Sequence, residues 1–422
     1  MKKCTALALF RQATKVAPKS GETQLVQPDN FNAFVAAADI PVANPAAGPL
    51  SGATLAVKDI FDVAGYPTGC GNPQKLAETG PALKTAPAVQ ALLDAGARFI
   101  GKTQTDELAY SLTGHNAHYP QPVNPRAPAR VTGGSSSGSA ASVAGGLADI
   151  ATGSDTGGSI RAPASYCGLI GLRTTHGRIP LDGAMALAPS FDTFGWFARD
   201  GSLYEAVGSV LLGEDSGSTR LSRPLRVLAL ESLIDVEAVG AHADSVAIAA
   251  AVTRDAAFAD LRGHELSDLY GCFRKLQGAE AWQSHGAWIA ASDRGLGPGV
   301  KERFEFGASI DGSTIVSETA RRNDFRARMS EMLGRDGYIV MPTVPGPAPL
   351  RAAGFEAQQA FRERALHLLC ISGLTGFPQI TLPLASVDGA PFGLSLLGPP
   401  GRDRALIALG RSILKFAGQD NS

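Results

Sequence analysis

The chain has 422 residues, 44% of them hydrophobic and 18% charged, which is enough apolar material for a large core and too little charge for a disordered chain. Lys and Arg total 38 against 39 Asp and Glu, a formal net charge of −1, so no global field favours nucleic acid or anionic lipid. A small or neutral substrate fits this balance, and the partners expected are that substrate alone or a second copy, as monomer or homodimer.

The first twenty residues, MKKCTALALFRQATKVAPKS, carry five basic side chains and no acid. Their apolar run TALALF is shorter than the roughly 7–15 residues of a secretory core, and Arg11 interrupts it. Residues 1–25 therefore read as a basic arm or short helix, with a transit role as the alternative, and 26–422 as one domain. No stretch elsewhere reaches the roughly 18 uncharged apolar residues of a membrane span. The five cysteines, Cys4, Cys70, Cys167, Cys272 and Cys370, are odd in number and widely spaced, with no metal-ligand pattern. They imply reduced thiols and a cytoplasmic protein.

Farther along, residues 53–57 form an apolar run that predicts a strand ending at Lys58, followed by the turn residues Gly65, Pro67 and Gly69. Val89, Leu92 and Leu93 stand at helical spacing, Gly96 stops that helix, and ARFIGK reads as the next strand. The alternation returns at LYEAVGSVLLGE, LRVLAL, GYIVMPTVPGP and HLLCISGLTGFPQITLPL. Strands interleaved with helices predict an α/β sheet covered on both faces. Glycine and proline are spread through the chain, with no long linker and no internal repeat. Residues 215–335, Ala-rich and charged at mixed spacing, predict helices laid over the sheet, where such elements commonly shape a pocket.

Two Gly/Ser clusters interrupt the pattern, GGSSSGS at 133–139 and GSDTGGS at 153–159. A phosphate cradle would end in Gly-Lys-Ser/Thr, and no lysine follows. Residues 134–138 formally fit the G-x-S-x-G nucleophile elbow, but NPRAPARVT, with two prolines, is a poor version of the strand that motif needs before its serine. A third reading joins both clusters to Lys58. Glycines in GSDTGGS let successive N–H groups of Thr156, Gly157, Gly158 and Ser159 face one point, the construction of an oxyanion hole. Ser159 then lies beside those donors as a nucleophile. A serine hydroxyl needs a base; no histidine lies within the clusters, and a desolvated Lys58 can lose its proton and serve, with Ser135 as the relay.

With these residues assembled, the chain resembles the amidase signature family of Ser-Ser-Lys hydrolases. The resemblance rests on residues 133–180, GGSSSGSAASVAGGLADIATGSDTGGSIRAPASYCGLIGLRTTHGRIP, on the lysine segment AVKDIFDV, and on VMPTVPGPAP and TGFPQITLPLASVDGAPFGLSLLGPPGRDRALI near the C-terminus. Segments such as VKDIFDVAGYPTGCGNP and SFDTFGWFARD look closest to the plant amidase-1 type, the indole-3-acetamide hydrolases. The family implies an α/β fold with a mixed central sheet flanked by helices on both faces. It implies Ser159 as acyl nucleophile, Lys58 as general base, Ser135 in a cis peptide as proton shuttle, and backbone oxyanion donors at Thr156, Gly157 and Gly158. No metal or organic cofactor is needed, and the expected reaction is hydrolysis of a small carboxylic amide, such as an arylacetamide, to acid and ammonia.

Plainer roles compete for several residues. Lys58 alone would read as a solvent-facing lysine at a strand end, and Ser136, Ser137 and Ser139 as loop or helix-cap hydroxyls. Asp155 and Arg161 flank the nucleophile as a buried ion pair or loop anchor, with substrate contact as the second role for Arg161. Ser136 and Trp196 are further candidate substrate contacts; Trp196, Phe197, Trp282 and Trp288 belong either to an aromatic pocket or to the core. Cys167 reads as a packed thiol, and His115 and His118 as loop residues. Two other functions stay open: the amidotransferase subunit that releases ammonia from glutamine for tRNA-bound amino acids, and a catalytically silent binding relative.

Overall fold

Apolar and small polar residues alternate along QITLPLASV and APFGLSLL, and a strand carrying such a pattern puts each set on its own face. The computed structural model describes residues 28–420, apart from 37–38, 218–219 and 262; the basic arm expected at 1–25 lies outside the described residues. Its strands are β1 (Thr54–Lys58), β2 (Arg98–Thr103), β3 (Ile150–Ser154), β4 (Gly171–Arg173), β5 (Phe194–Ala198), β6 (Arg223–Val227), β7 (Ala257–Ala259), β8 (Gly337–Pro342), β9 (Gln379–Val387) and β10 (Ala390–Leu397).

These strands form two hydrogen-bonded ladders, β2-β1-β3-β5 and β4-β9-β10-β8-β6-β7. Both are mixed: β1 runs parallel to β2 and β3 while β5 is antiparallel to β3, and β8, β6 and β7 run parallel beside the antiparallel β4, β9 and β10. The expected mixed sheet is thus divided, and its halves abut where β4 meets β5. At that seam side chains take up backbone groups. The Leu172 N–H donates to the Tyr204 hydroxyl (2.6 Å), and Thr174 Oγ1 donates to the Phe194 carbonyl (3.0 Å).

On β9 and β10 the apolar set, Ile380, Leu382, Leu394 and Leu396, is buried with Leu406, Ile407 and Ile413 of the amphipathic helix Asp403–Phe416, whose apolar residues recur at helical spacing. The polar set faces the other way. Thr381 and Ser395 share hydrogen bonds with Thr343, and Ser165 of the helix Arg161–Cys167 accepts from the Gly393 N–H (2.9 Å). The expected helices of the 215–335 stretch include Val239–Val252, Leu266–Ala291, Val300–Ala308 and Gly312–Leu333. Leu266–Ala291 and Gly312–Leu333 with Phe355–Thr375 enclose a second apolar cluster around Phe273, Phe325, Met329 and Leu369. Among the described residues no helix is long and apolar enough to cross a membrane. Cys70, Cys167, Cys272 and Cys370 are free and buried.

Candidate active site

Lys58 ends β1 between its two parallel neighbours and is fully buried. Its Nζ bonds Ser135 Oγ at 2.8 Å, Ser154 Oγ at 2.9 Å and Ser136 Oγ at 3.1 Å. Hydroxyls both donate and accept, so the same three partners satisfy an ammonium or a neutral amine. Burial lowers Lys58 from its usual 10.5 to about 7, opposed by the charges of Asp106, Asp155 and Asp192 and by Cys70. Near neutral pH this lysine divides between proton acceptor and proton donor.

The first serine cluster supplies two of the three hydroxyls. The Gly134–Ser135 peptide is cis. Ser136 precedes the helix Ser137–Ala144 without capping it through its side chain; its hydroxyl is held by Lys58 and by the Ser154 backbone at 3.3 Å. Of the two roles expected for Ser136, helix cap and substrate contact, the geometry gives neither. Ser139, one turn on, ties the helix to the sheet through the Thr152 carbonyl (2.8 Å). Small residues make this approach possible, since Ser137 through Val143 are buried.

The second cluster turns the chain from β3 into the helix Arg161–Cys167 around one carboxylate. Asp155 accepts from the Gly158 N–H (2.8 Å), the Ile160 N–H (3.1 Å), Arg161 Nε and Nη2 (3.0 and 2.8 Å) and Arg173 Nη1 (3.1 Å). Burial pushes this carboxyl upward, but the Arg161 and Arg173 charges and the backbone bonds outweigh it and hold Asp155 well below the usual carboxylate range. Arg161 spends its remaining Nη1 on the Leu369 carbonyl (2.9 Å) and Gln379 Oε1 (2.6 Å). It is a fully buried loop anchor, and the substrate contact expected of it is corrected. Gly158 adopts φ +122°, with Leu369 Cδ1 2.5 Å from where a Cβ would stand, so only glycine fits there.

The oxyanion donors also need correction. The Gly158 N–H is taken by Asp155, whereas the N–H groups of Thr156, Gly157 and Ser159 donate to no acceptor among the described residues. The Thr156 hydroxyl is bonded to Asp192 Oδ1 (2.6 Å), whose Oδ2 holds the Leu187 and Ala188 N–H groups.

Ser159 is 3% exposed and opens on a narrow recess shared with Tyr110, Ser111, Gln277 and Arg362. Ala109 and Thr156 connect that recess to an apolar cavity of about 150 Å³ walled by Ile60, Leu181, Met185 and Leu187 and reached by Ser154. The 181–192 loop that forms this wall is tethered to the helix Leu266–Ala291. His285 Nε2 bonds the Ala186 carbonyl (2.8 Å), and Glu280 accepts from the Ser190 N–H (2.8 Å).

Trp196 does not reach either cavity. It is fully buried and stacks on Tyr204 at 4.9 Å, because alternation on β5 turns it into the core; the expected substrate contact is corrected. Phe197 is equally buried. Trp288 lies under Arg294 and Lys75 and donates to Glu78.

A third recess of about 240 Å³ shares Ser111 with the Ser159 recess and is lined by Glu107, Arg303 and Arg351. Glu107 is committed to Asn72, His118 and the Gly297 N–H. Arg303 and Arg362 each have a buried Nε without a hydrogen-bond partner among the described residues. Burial lowers both guanidiniums, Arg303 to about 9 with Arg362 adding repulsion.

Sequence reasoning missed Ser154, Arg173, Arg303 and Arg362. Period-two counting from Thr152, whose hydroxyl receives the Lys58 N–H (3.1 Å), puts Ser154 on the same face of β3 and was the available signal. Nothing local marks Arg303 and Arg362, which belong to elements distant in sequence.

The family model described as Amidase matches residues 6–250. Amidase 1 of Arabidopsis thaliana is 38% identical over 92% of this chain and 99% of its own. A glutamyl-tRNA(Gln) amidotransferase subunit of Methanospirillum hungatei is 31% identical over 90% of this chain and 95% of its own. A solved amidase crystal structure superposes with TM-score 0.77 at 31% identity, covering 87% of this chain and 85% of the other. The chain therefore belongs to the amidase family, with that family's α/β fold, and is a hydrolase of amide C–N bonds.

Proposed function

We propose that the protein hydrolyses a small arylacetamide, of the indole-3-acetamide type, to the acid and ammonia through an acyl-enzyme on Ser159. The observation that carries the mechanism is Lys58, buried, lowered to about 7 and bonded to Ser135 at 2.8 Å. Ser159 Oγ attacks the amide carbon while its proton passes to Ser135 and the Ser135 proton to Lys58. The carbonyl oxygen takes its negative charge among the N–H groups of Thr156, Gly157 and Ser159, which are fixed before the reaction. The ammonium of Lys58 returns a proton through Ser135 to the leaving nitrogen, the C–N bond breaks, and ammonia departs. Water then attacks the ester by the same relay and releases the acid.

The acyl group is read from the cavity beside Ser154. Its walls are apolar and its volume is about 150 Å³, close to the roughly 150 Å³ that accommodates a benzene ring in an engineered core. The resemblance of VKDIFDVAGYPTGCGNP and SFDTFGWFARD to the indole-3-acetamide hydrolases favours the same class. Ammonia release by wild type and Ser159→Ala across arylacetamides, aliphatic amides and glutamine is the test. Release from phenylacetamide or indole-3-acetamide that vanishes in the variant is expected; release confined to other amides would sink the arylacetamide reading, and none at all would favour a silent binding relative.

One observation favours a second substrate. Arg303 and Arg362, beside the Ser159 recess and each with a buried Nε that has no partner among the described residues, suit an amide that carries its own carboxylate, as glutamine does. Under that reading Arg303→Gln raises KM for glutamine more than tenfold and spares neutral amides.

A further inference from the structure

Three buried carboxylates face Lys58 electrostatically: Asp106, Asp155 and Asp192. Asp155 is neutralised by two arginines, and Asp192 is occupied by Thr156 and two backbone N–H groups. Asp106 differs from both. It is fully buried, it lacks the arginines of Asp155, its Oδ1 has no hydrogen-bond partner among the described residues while both Asp192 oxygens do, and it leads the charges that oppose the burial of Lys58.

Its position is set by the first serine cluster. The Asp106 N–H donates to the Ser135 carbonyl (3.1 Å), and the neighbouring Gly134 N–H donates to Leu112 (3.0 Å). Oδ2 accepts from the Gly114 N–H (3.0 Å). The carboxyl group lies against the Gly134 Cα so closely that a Cβ there would stand 2.1 Å from Oδ2 and 2.5 Å from Oδ1. Asp106 thus contacts both residues of the Gly134–Ser135 peptide, Gly134 through its carboxyl group and Ser135 through its backbone N–H.

We propose that Asp106 is a positioning residue of the hydrolytic site, clamping Gly134–Ser135 so that Ser135 Oγ meets Lys58, and supplying the buried negative charge that balances the Lys58 ammonium. The inference rests on the Ser159–Ser135–Lys58 mechanism proposed above. When Lys58 takes the proton of the attacking serine, a positive charge appears at a fully buried position. Among the described residues neither Asp106 nor Asp192 pairs with a cation, but both Asp192 oxygens are taken by hydrogen bonds whereas Asp106 Oδ1 has no partner; Asp155, Asp192 and Cys70 complete the surroundings of Lys58. Burial also raises the Asp106 carboxyl itself, and Lys58, Gly114, Ser137 and Ser111 favour its charged form, so the two groups support each other's ionisation.

The sign of the expected effect follows from charge alone. Removing a negative charge makes the ammonium less favourable, lowers the Lys58 pKa, and moves the acid limb of kcat/KM to lower pH. Asp106→Asn keeps the shape and the acceptor for Gly114. In this variant the acid limb is expected to fall by about half a unit or more and kcat about tenfold, since the base is weaker, with KM within twofold. Gly134→Ala, which drives a methyl group into the carboxylate while leaving its charge, is expected to lower kcat by a similar factor. Should Asp106→Asn melt much earlier than wild type, fluorophosphonate labelling of Ser159 against pH, measured well below its melting point, gives the same limb. An unmoved limb in Asp106→Asn, with Ser159→Ala still inactive, overturns the inference and leaves the mechanism intact. Full activity in Ser159→Ala overturns the mechanism itself.

Discussion

The four-stranded half of the molecule and the helices over 215–335 are both densely buried, yet they are held in different ways. Around β1 and β3 the interior is small and polar: Lys58, Thr103, Ser135, Ser136, Ser139, Thr152, Ser154 and Asp155 are all buried and hydrogen-bonded. Under the helices it is large and apolar, built on Phe273, Leu276, Phe325, Met329 and Met332. Hydrogen bonds specify direction and tolerate no missing partner, whereas apolar packing accepts a change of shape if volume is kept. The chemistry therefore sits in the half that resists substitution. The substrate-facing wall, the 181–192 loop fastened to Glu280 and His285, leans on the half that tolerates it.

The contrast is broken most severely at the nucleophile. Ser159→Ala is expected to lower ammonia release by about a thousandfold or more while leaving the melting temperature nearly unchanged, since the proposed mechanism makes this residue the attacking group. Next comes the Asp155 knot. Asp155→Ala leaves Arg161 and Arg173 charged and buried without their carboxylate, a loss of about 3–5 kcal/mol of stability by urea unfolding, accompanied by loss of activity.

Proton balance gives a smaller and graded effect. With Lys58 at about 7, kcat/KM is expected to climb about tenfold per pH unit up to that value and then level off; a flat profile from pH 6 to 9 speaks against Lys58 as base. Stability moves in the same direction for a separate reason. The folded pKa lies below the usual 10.5, so between about 7 and 10.5 the unfolded chain binds this proton and the folded one does not. The Lys58 contribution to stability accordingly rises with pH through that window and is lowest below 7.

At the tolerant end, Met185→Trp, filling part of the apolar cavity, is expected to raise KM for arylacetamides several-fold with kcat within about twofold. Met329→Leu under the helices should cost less than about 1.5 kcal/mol and leave both constants alone. If Met329→Leu disturbed activity as much as Asp155→Ala, the division between the two halves would not hold.

Much of the four-stranded half was legible in the sequence because its signals are local. A short apolar run closed by Lys58, glycines at a turn and serines in clusters announce backbone geometry and chemistry together. β3 escaped, since Ile150–Ser154 is mostly small residues without the alternation that marks a strand. Ser154 was hidden with it, although it completes the Lys58 shell. Trp196 was misjudged because an aromatic residue near a motif says nothing about which face of β5 it occupies; Tyr204, eight residues later, settles that. The seam between β4 and β5 could not be foreseen, as it depends on where Tyr204 and Thr174 place single hydrogen bonds. The four helices of the middle were expected as a group, but their apolar residues at mixed spacing gave no boundaries.

The Asp155 knot also imposes an order of events in time. Lys58, Ser135 and Ser159 leave the ribosome well before Leu369 and Gln379, the last acceptors of Arg161, and before Asp403, which holds Thr175 just beyond β4 (2.7 Å). A growing chain thus carries every reactive group long before it carries the partners that hold their loop. The loop that carries Ser159 is completed by segments made much later, and a chain cut short before Leu369 holds Ser159 without the partners that fix that loop.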